Sequence, residues 1–533
     1  MFDMKVIWCA LAIIALAAVS TSRPLYGAAD NHEGQAADRL EGMARAAFGE
    51  LSNAELRTVR TAPTRDVAWV SPVEDPGAAV NDPAKAATWG KERTIRAALI
   101  VWLLSDGEAS RLVHPSGIGI AGARIEGKLD LSFLNVAVPL TLIDCSIADG
   151  VGLSFAHIQG IDLRECWTGP ISADRATIHG DVTLREGHYD AVNFFRSEID
   201  GTLDCSGGRF TGDNPLSMVE TAIKGDALFH QGFTTSGTVD FRLARLEQSL
   251  SFNDARFTGK GDNGLNAERA VIGGALYWVD VKTTPHTQLD LSGAHAGSLW
   301  DDAKGWPARG NLSLDGFVYG SFSGGPTDAE NRLAWLRRQP LAMQAEPQPY
   351  SQLAKVLRES GAAESATLVE IAREDALTEH GGLSFSSRLW RYALRVTIGY
   401  GYRPLLALWW ILLFVSLGTV LFGWGYRARL ITPTDETAYE AFVRTGAPPP
   451  HYPPFTSFVY SLENFLPVVE LHQGAYWRPN PRHSPAHAGR LTKWSGDRVP
   501  AMLLRWYLWL HILAGWTITP LLFAGLSGLL RND

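Results

Sequence analysis

Between residues 117 and 323 one pattern returns: an aliphatic residue, glycine two places later, then apolar residues at four and six. It reads "IEGKLDL" (125–131), "IHGDVTL" (178–184), "IDGTLDC" (199–205), "IKGDALF" (223–229) and "IGGALYW" (272–278), with weaker copies "IQGIDL" (158–163), "LEQSLSF" (246–252) and "VYGSF" (318–322). From Ile178 through Ile199, Ile223 and Leu246 to Ile272 the steps are 21, 24, 23 and 26 residues, the size of one solenoid coil. Apolar and polar residues alternate within each copy, which is the period of a strand with one face buried. Hairpin signals such as Asn-Gly are scarce, so a barrel or sandwich is disfavoured and a parallel right-handed β-helix over 117–325 is predicted. The recurring glycine is expected to open each strand at a sharp corner.

"GARIEGKLDLSF" (122–133) and "LDLSGAH" (289–295) resemble bacterial β-helix proteins of the pentapeptide-repeat kind, although the five-residue period is not kept. The preceding "WGKERTIRAALIVWLL" (89–104) has helical spacing, and the region 29–116 is expected to be helical and to cap the solenoid's open end.

Cys145 and Cys166, in "LIDCSI" and "LRECWT", occupy matching places one coil apart. Stacked coils lie about 4.8 Å apart, so the pair reads either as two buried thiols or as a disulfide favoured by export. Cys205 reads as core. Asp130, Asp162, Asp204, Asp240 and Asp290 recur at outward positions and are expected to form a solvated ladder. An acid/base pair needs two carboxylates in unlike environments, and nothing in the sequence separates these. There is no phosphate loop, Cys-x-x-Cys or Gly-x-Ser-x-Gly motif, so no catalytic residue and no cofactor is predicted. The two histidines of "HSPAH" (483–487) are split by Pro485, and no metal site is expected.

The first 28 residues read as a secretory signal: Lys5, the apolar run 6–19, then small residues at 27–29. Residues 326–403 are helical in pattern and form a predicted neck. Its "PYSQLAKVLRESGAAESATLVEIA" (349–372) has the spacing of a tetratricopeptide-like helix pair, and 386–400 that of a basic amphipathic helix suited to a membrane surface. A two-span membrane domain, 404–533, follows, with apolar segments at 404–426 and 506–530 long enough to cross a bilayer. The loop between them, 427–505, holds nine Lys/Arg, at 427, 429, 444, 478, 482, 490, 493, 498 and 505. This bias places the loop in the cytoplasm and the β-helix on the extracytoplasmic side of a bacterial inner membrane.

Within that loop "FTSFVYSLENFLPVVELHQGAYW" (455–477) resembles the pore region of two-transmembrane ion channels. The resemblance implies a pore loop at Tyr460, Glu463, Asn464, Pro467, Glu470 and His472, and a homo-oligomer to enclose a pore. The slot after the candidate pore helix, "PVVELHQ", lacks the glycines of a potassium filter, so potassium selectivity is not expected, although a ring of Glu470 would attract cations. "TIGYGYRP" (397–404) imitates such a filter but precedes the first span; it reads as a bend with Gly399 and Gly401 flexible and Tyr400 and Tyr402 anchored at the interface. Chains of this layout are similar to bacterial membrane proteins, some labelled membrane-associated oxidoreductases, a label without a cofactor motif in this sequence. A formal net charge of −8 without long basic runs excludes a nucleic-acid partner. The expected partners are the lipid bilayer, further copies of the chain, and an envelope ligand or protein. The expected function is a membrane-anchored envelope module that binds or senses through its β-helix, with a non-potassium channel and a β-helix enzyme acting on polysaccharide as alternatives.

Overall fold

The computed structural model describes residues 26–480, apart from 213 and 262, and residues 499–529. Nearly all of the expected signal segment, and the two histidines of "HSPAH", lie outside the described residues. The chain divides into two compact units, Met1–Ala366 and Thr367–Asp533.

The first unit is built on a parallel β-solenoid of about nine turns, its faces formed by sheets of 18, 8 and 9 strands. Most strands are two residues long, and each coil places four of them around its perimeter. Equivalent residues stack in register: Ile158, Ile178, Ile199, Ile223, Leu246 and Ile272 form one buried column. Leu140, Ile161, Val182, Leu203, Ala227 and Leu250 form the next. Most copies of the sequence motif therefore span two strands, such as Thr177–Ile178 and Val182–Thr183, with the glycine between them, whereas "IGGALYW" lies within the single strand Val271–Trp278. Farther along, Phe229, Phe252, Phe257 and Trp278 fill the interior with ring contacts of 4.8–6.1 Å.

The corners are not where glycine was expected. Phe155, Arg175, Arg196, Glu220, Leu243 and Arg269 adopt left-handed backbone, φ 55–59°, at one corner of successive coils. Asp144, Glu165 and Glu186 do so at another, φ 51–58°. Most are the third residue of a tight turn closed by an amide three residues on: Ala156 N donates to Leu153 O (3.0 Å), Ala176 N to Ala173 O (3.1 Å) and Cys166 N to Leu163 O (3.3 Å). The motif glycines serve stacking instead. A Cβ at Gly225 would stand 2.6 Å from Gly201 O, and one at Gly201 would stand 2.6 Å from Gly180 C. Side chains are excluded because the backbones of neighbouring coils touch there.

The solenoid starts earlier than expected. Strands Val67–Trp69 and Thr94–Arg96 already pair with Gly119–Ala121 and Arg124–Glu126. Around them lie helices α1 (Tyr26–Phe48), α2 (Asn53–Thr61) and α3 (Ala97–Ser105). Ser52 and Glu55 close α2 with a capping box, and Glu55 also receives Arg96 Nε at 2.6 Å. The predicted helix at 89–104 is thus shorter, because its first half is a 3₁₀ turn and a strand. At the other end α4 (Ala329–Leu336) buries Arg332 on Asp301 at 2.8 and 2.9 Å, and α5 (Pro347–Glu359) donates from Gln348 and Gln352 to the carbonyls of Phe317 and Tyr319. Edge acceptors that would otherwise stay open are thereby satisfied.

Helix α6 (Ala363–His380) carries the chain into the second unit, followed by α7 (Phe385–Ile398), α8 (Leu406–Arg427), α9 (Glu436–Thr445), α10 (Ser457–Phe465), the short α11 (Gln473–Tyr476) and α12 (Val499–Leu526). Strands Ile431–Pro433 and Trp477–Pro479 pair antiparallel between α8 and α12. Helices α8 and α12 are long and apolar enough to cross a membrane.

The "TIGYGYRP" segment is a left-handed corner. Gly399, Tyr400 and Gly401 have φ of 55°, 58° and 94°, a left-handed run that ends α7 and redirects the chain. Tyr400 and Tyr402 are buried rather than anchored at an interface. The Tyr400 hydroxyl donates to Asp375 Oδ1 (3.0 Å), and Arg373 donates to the Tyr402 hydroxyl (3.0 Å). Three carboxylates of α6 thus hold the corner: Asp375, Glu374, which pairs with Arg391, and Glu370, which pairs with Arg373 at 3.0 Å.

Candidate functional site

The outward aspartates have a local task. The Asp130 carboxylate accepts from Ser132 N (3.1 Å), Asp162 from Arg164 N (3.1 Å), Asp204 from Ser206 N (3.0 Å), Asp240 from Arg242 N (3.1 Å) and Asp290 from Ser292 N (2.9 Å). Each braces the residue before a left-handed corner, which is the familiar use of Asp in turns. Asp162 and Asp240 are further neutralised by Arg164 and Arg242. The ladder is structural.

A different set of carboxyls converges on one cleft. Asp144, Glu165 and Glu186, the left-handed apices of three successive corners, line an open cleft of about 560 Å³ beneath the segment 77–85. Gly77 N donates to Asp144 Oδ2 at 3.1 Å, fixing a carboxyl that is 2% exposed. Burial raises the Asp144 pKa; burial first, then the charges of Asp144 and Glu186, raise that of Glu165. Asp144 and Glu165 bond to each other, so this pair holds a proton more readily than free carboxylates would. Beside them Trp167, His188 and Arg209 stack in register on the adjoining sheet, with the Trp167 and His188 rings 3.9 Å apart and nearly parallel. Burial, helped by Arg209, lowers the His188 pKa, which keeps the ring neutral near pH 7. The arrangement offers proton-sharing acceptors beside an aromatic face. Its signal in the sequence was the acidic residue before Cys145 and Cys166; what was missing was the corner that points those carboxyls outward together.

The candidate disulfide is not formed. Cys145 and Cys166 are free, buried thiols, as is Cys205. Cys145 Sγ donates to Ile143 O (3.2 Å) and Cys166 Sγ to Leu142 O (3.3 Å). Coil spacing brings the two near, and each thiol donates to a backbone carbonyl. Burial holds the Cys166 and Cys205 thiols protonated, Cys145 adding to the effect at Cys166.

In the second unit the predicted pore-loop residues divide. Tyr460 is buried in α10 against Phe422 and Phe455. Asn464 Nδ2 donates to Tyr460 O (2.8 Å), and Pro467 follows the end of α10. Glu463 accepts from Gln473 N (2.6 Å) and Gly474 N (3.3 Å), tying the returning segment to α10. Glu470 and His472 are exposed, and His472 has φ 66°. Sequence reasoning passed over the residues that seat α10. Ser461 Oγ donates to Val415 O (2.9 Å) and lies 3.3 Å from His511 Nε2, which is 2.9 Å from Ser461 O. Gly418 and Gly515 make room, since a Cβ at Gly515 would stand 2.6 Å from Phe465 C. Gly418 and His511 are near the midpoints of α8 and α12, so α10 reaches half-way along both.

Among the described residues no group of three or more His, Cys, Asp or Glu side chains is arranged to hold a metal ion. No family model, no curated protein and no solved structure matches the chain.

Proposed function

We propose that the protein is a membrane-anchored envelope module, with α8 and α12 as its spans and a right-handed β-solenoid that binds or senses a partner outside the inner membrane. The observation that carries this reading is the outer surface of the two helices. Leu408, Trp409, Leu412, Leu413, Leu417 and Val420 on α8 are exposed, as are Leu503, Trp506, Leu510, Leu513, Trp516 and Phe523 on α12. Water would not tolerate so continuous an apolar surface, whereas a bilayer requires it. Trp409 and Trp424 on α8 suit the two interfaces. Alkaline carbonate extraction of membranes from cells expressing the full chain tests it: the protein is expected in the pellet, and recovery in the supernatant would sink the reading.

The second reading is an oligomeric channel, favoured by α10 standing between the two spans as a half-length helix. Backbone that ends at that depth is tolerated only where protein or a water-filled cavity covers it. Two spans cannot enclose a pore alone, so a chain that is monomeric in detergent by light scattering excludes this reading.

A further inference from the structure

We propose that the groove between α7, α8 and α12 holds one acyl chain of an anionic phospholipid whose phosphate is bound by Arg388; this rests on the membrane reading above. The groove, about 470 Å³, is lined by Tyr392 and Val396 of α7, Trp410 and Phe414 of α8, and Leu513 and Ile518 of α12, with almost no polar surface. The polar atoms nearest it are already used. Trp410 Nε1 donates to Val396 O (3.0 Å), Thr397 Oγ1 to Ala393 O (2.7 Å) and Thr517 Oγ1 to Leu513 O (2.8 Å). What remains is a hydrocarbon slot, and its wall at Leu513 continues into the exposed apolar face of α12. The bilayer is therefore the adjoining source of an occupant, and the slot is open to it from the side.

Charge on α7 selects the headgroup. Its three arginines are divided by face: Arg391 pairs with Glu374 and Arg395 with Asp375 (3.0 Å), both on α6. Arg388 stands one turn before Tyr392, on the face that lines the groove, is exposed, and has no carboxylate partner among the described residues. Tyr392 and Val396 follow it at four-residue steps, so one line of side chains runs from a guanidinium to an apolar slot. Phe385, Leu389 and Trp390 are exposed around it, as on a helix lying at a membrane surface. A cation above a chain-sized slot matches an anionic lipid, and a guanidinium suits phosphate through paired donors.

The test uses the full chain purified in detergent, with micelles doped with phosphatidylglycerol or with phosphatidylcholine, and lipid retention read by native mass spectrometry. Phosphatidylglycerol is expected to be retained in preference. Arg388→Gln should weaken its retention about fivefold and remove the preference, from the loss of about 1 kcal/mol of headgroup attraction. Ala393→Phe, at an exposed position of the groove wall, should reduce retention of both lipids. Equal retention of the two lipids by the unaltered chain, or unchanged retention in both variants, would overturn the groove while leaving membrane insertion intact. Recovery of the chain in a carbonate supernatant would overturn both.

Discussion

A methyl group added at Gly225 would meet Gly201 O at 2.6 Å, Gly201 C at 2.7 Å and Thr202 N at 2.8 Å, all of them backbone atoms that cannot rotate away. The residue is therefore selected by the distance between coils and not by its freedom at φ. Gly225→Ala should cost about 1–3 kcal/mol, the usual range for forcing an extra carbon into a packed interior, and appear as a lower melting temperature of the solenoid. Calorimetry that finds no loss would show that the coils separate easily there. The same stack explains why "LEQSLSF" lacks its glycine without breaking the fold. Its next coil carries two, Gly273 and Gly274, and a Cβ at Gly274 would stand 2.9 Å from Gln248 C.

At the scale of elements, the corner column Asp144, Glu165 and Glu186 makes the solenoid's stability depend on pH. The fold raises the Glu165 pKa above 4.5, so it favours the protonated form. That contribution is fully present below 4.5 and is lost as pH rises through the raised folded-state value. Arg164 opposes the shift, while Asp144 and Glu186 reinforce it. Glu165→Gln removes the titration, so its melting temperature should gain on the unaltered chain as pH rises from about 4 to about 8. Parallel melting curves across that range would contradict the shared-proton pair. The coils themselves were legible, because in-register columns such as Ile178, Ile199 and Ile223 impose a spacing that any reader of the sequence can count. The corners were not: left-handed backbone at Phe155 or Arg175 is held by the turn and by the small residue after it, and no single residue type announces it. The two long apolar helices were legible from apolar length, whereas the seat of α10 depends on Gly418, Ser461, Gly515 and His511, which meet only once α8 and α12 stand side by side. Tyr400 and Tyr402 misled for a related reason, since the carboxylates that accept from their hydroxyls and the arginine that donates to Tyr402 lie some 25 to 32 residues upstream.

At the scale of the whole molecule, the proposed membrane-anchored reading requires the solenoid and the segment joining α8 to α12 to be exposed on opposite sides of a membrane. Arg429, Arg444 and Arg478 between the two helices, with Arg427 at the end of α8 and Arg505 near the start of α12, favour a cytoplasmic connection, and residues 29–403 precede α8. The buried thiols of Cys145, Cys166 and Cys205 leave the surface of both regions free of native reactive groups among the described residues. In a Cys9→Ser background, single cysteines at two exposed positions, Lys304→Cys on the solenoid and Arg444→Cys on α9, report sidedness directly. A membrane-impermeant maleimide applied to spheroplasts should label Lys304→Cys at once and Arg444→Cys only after the membrane is permeabilised. Labelling of both before permeabilisation, or of neither, would contradict the account.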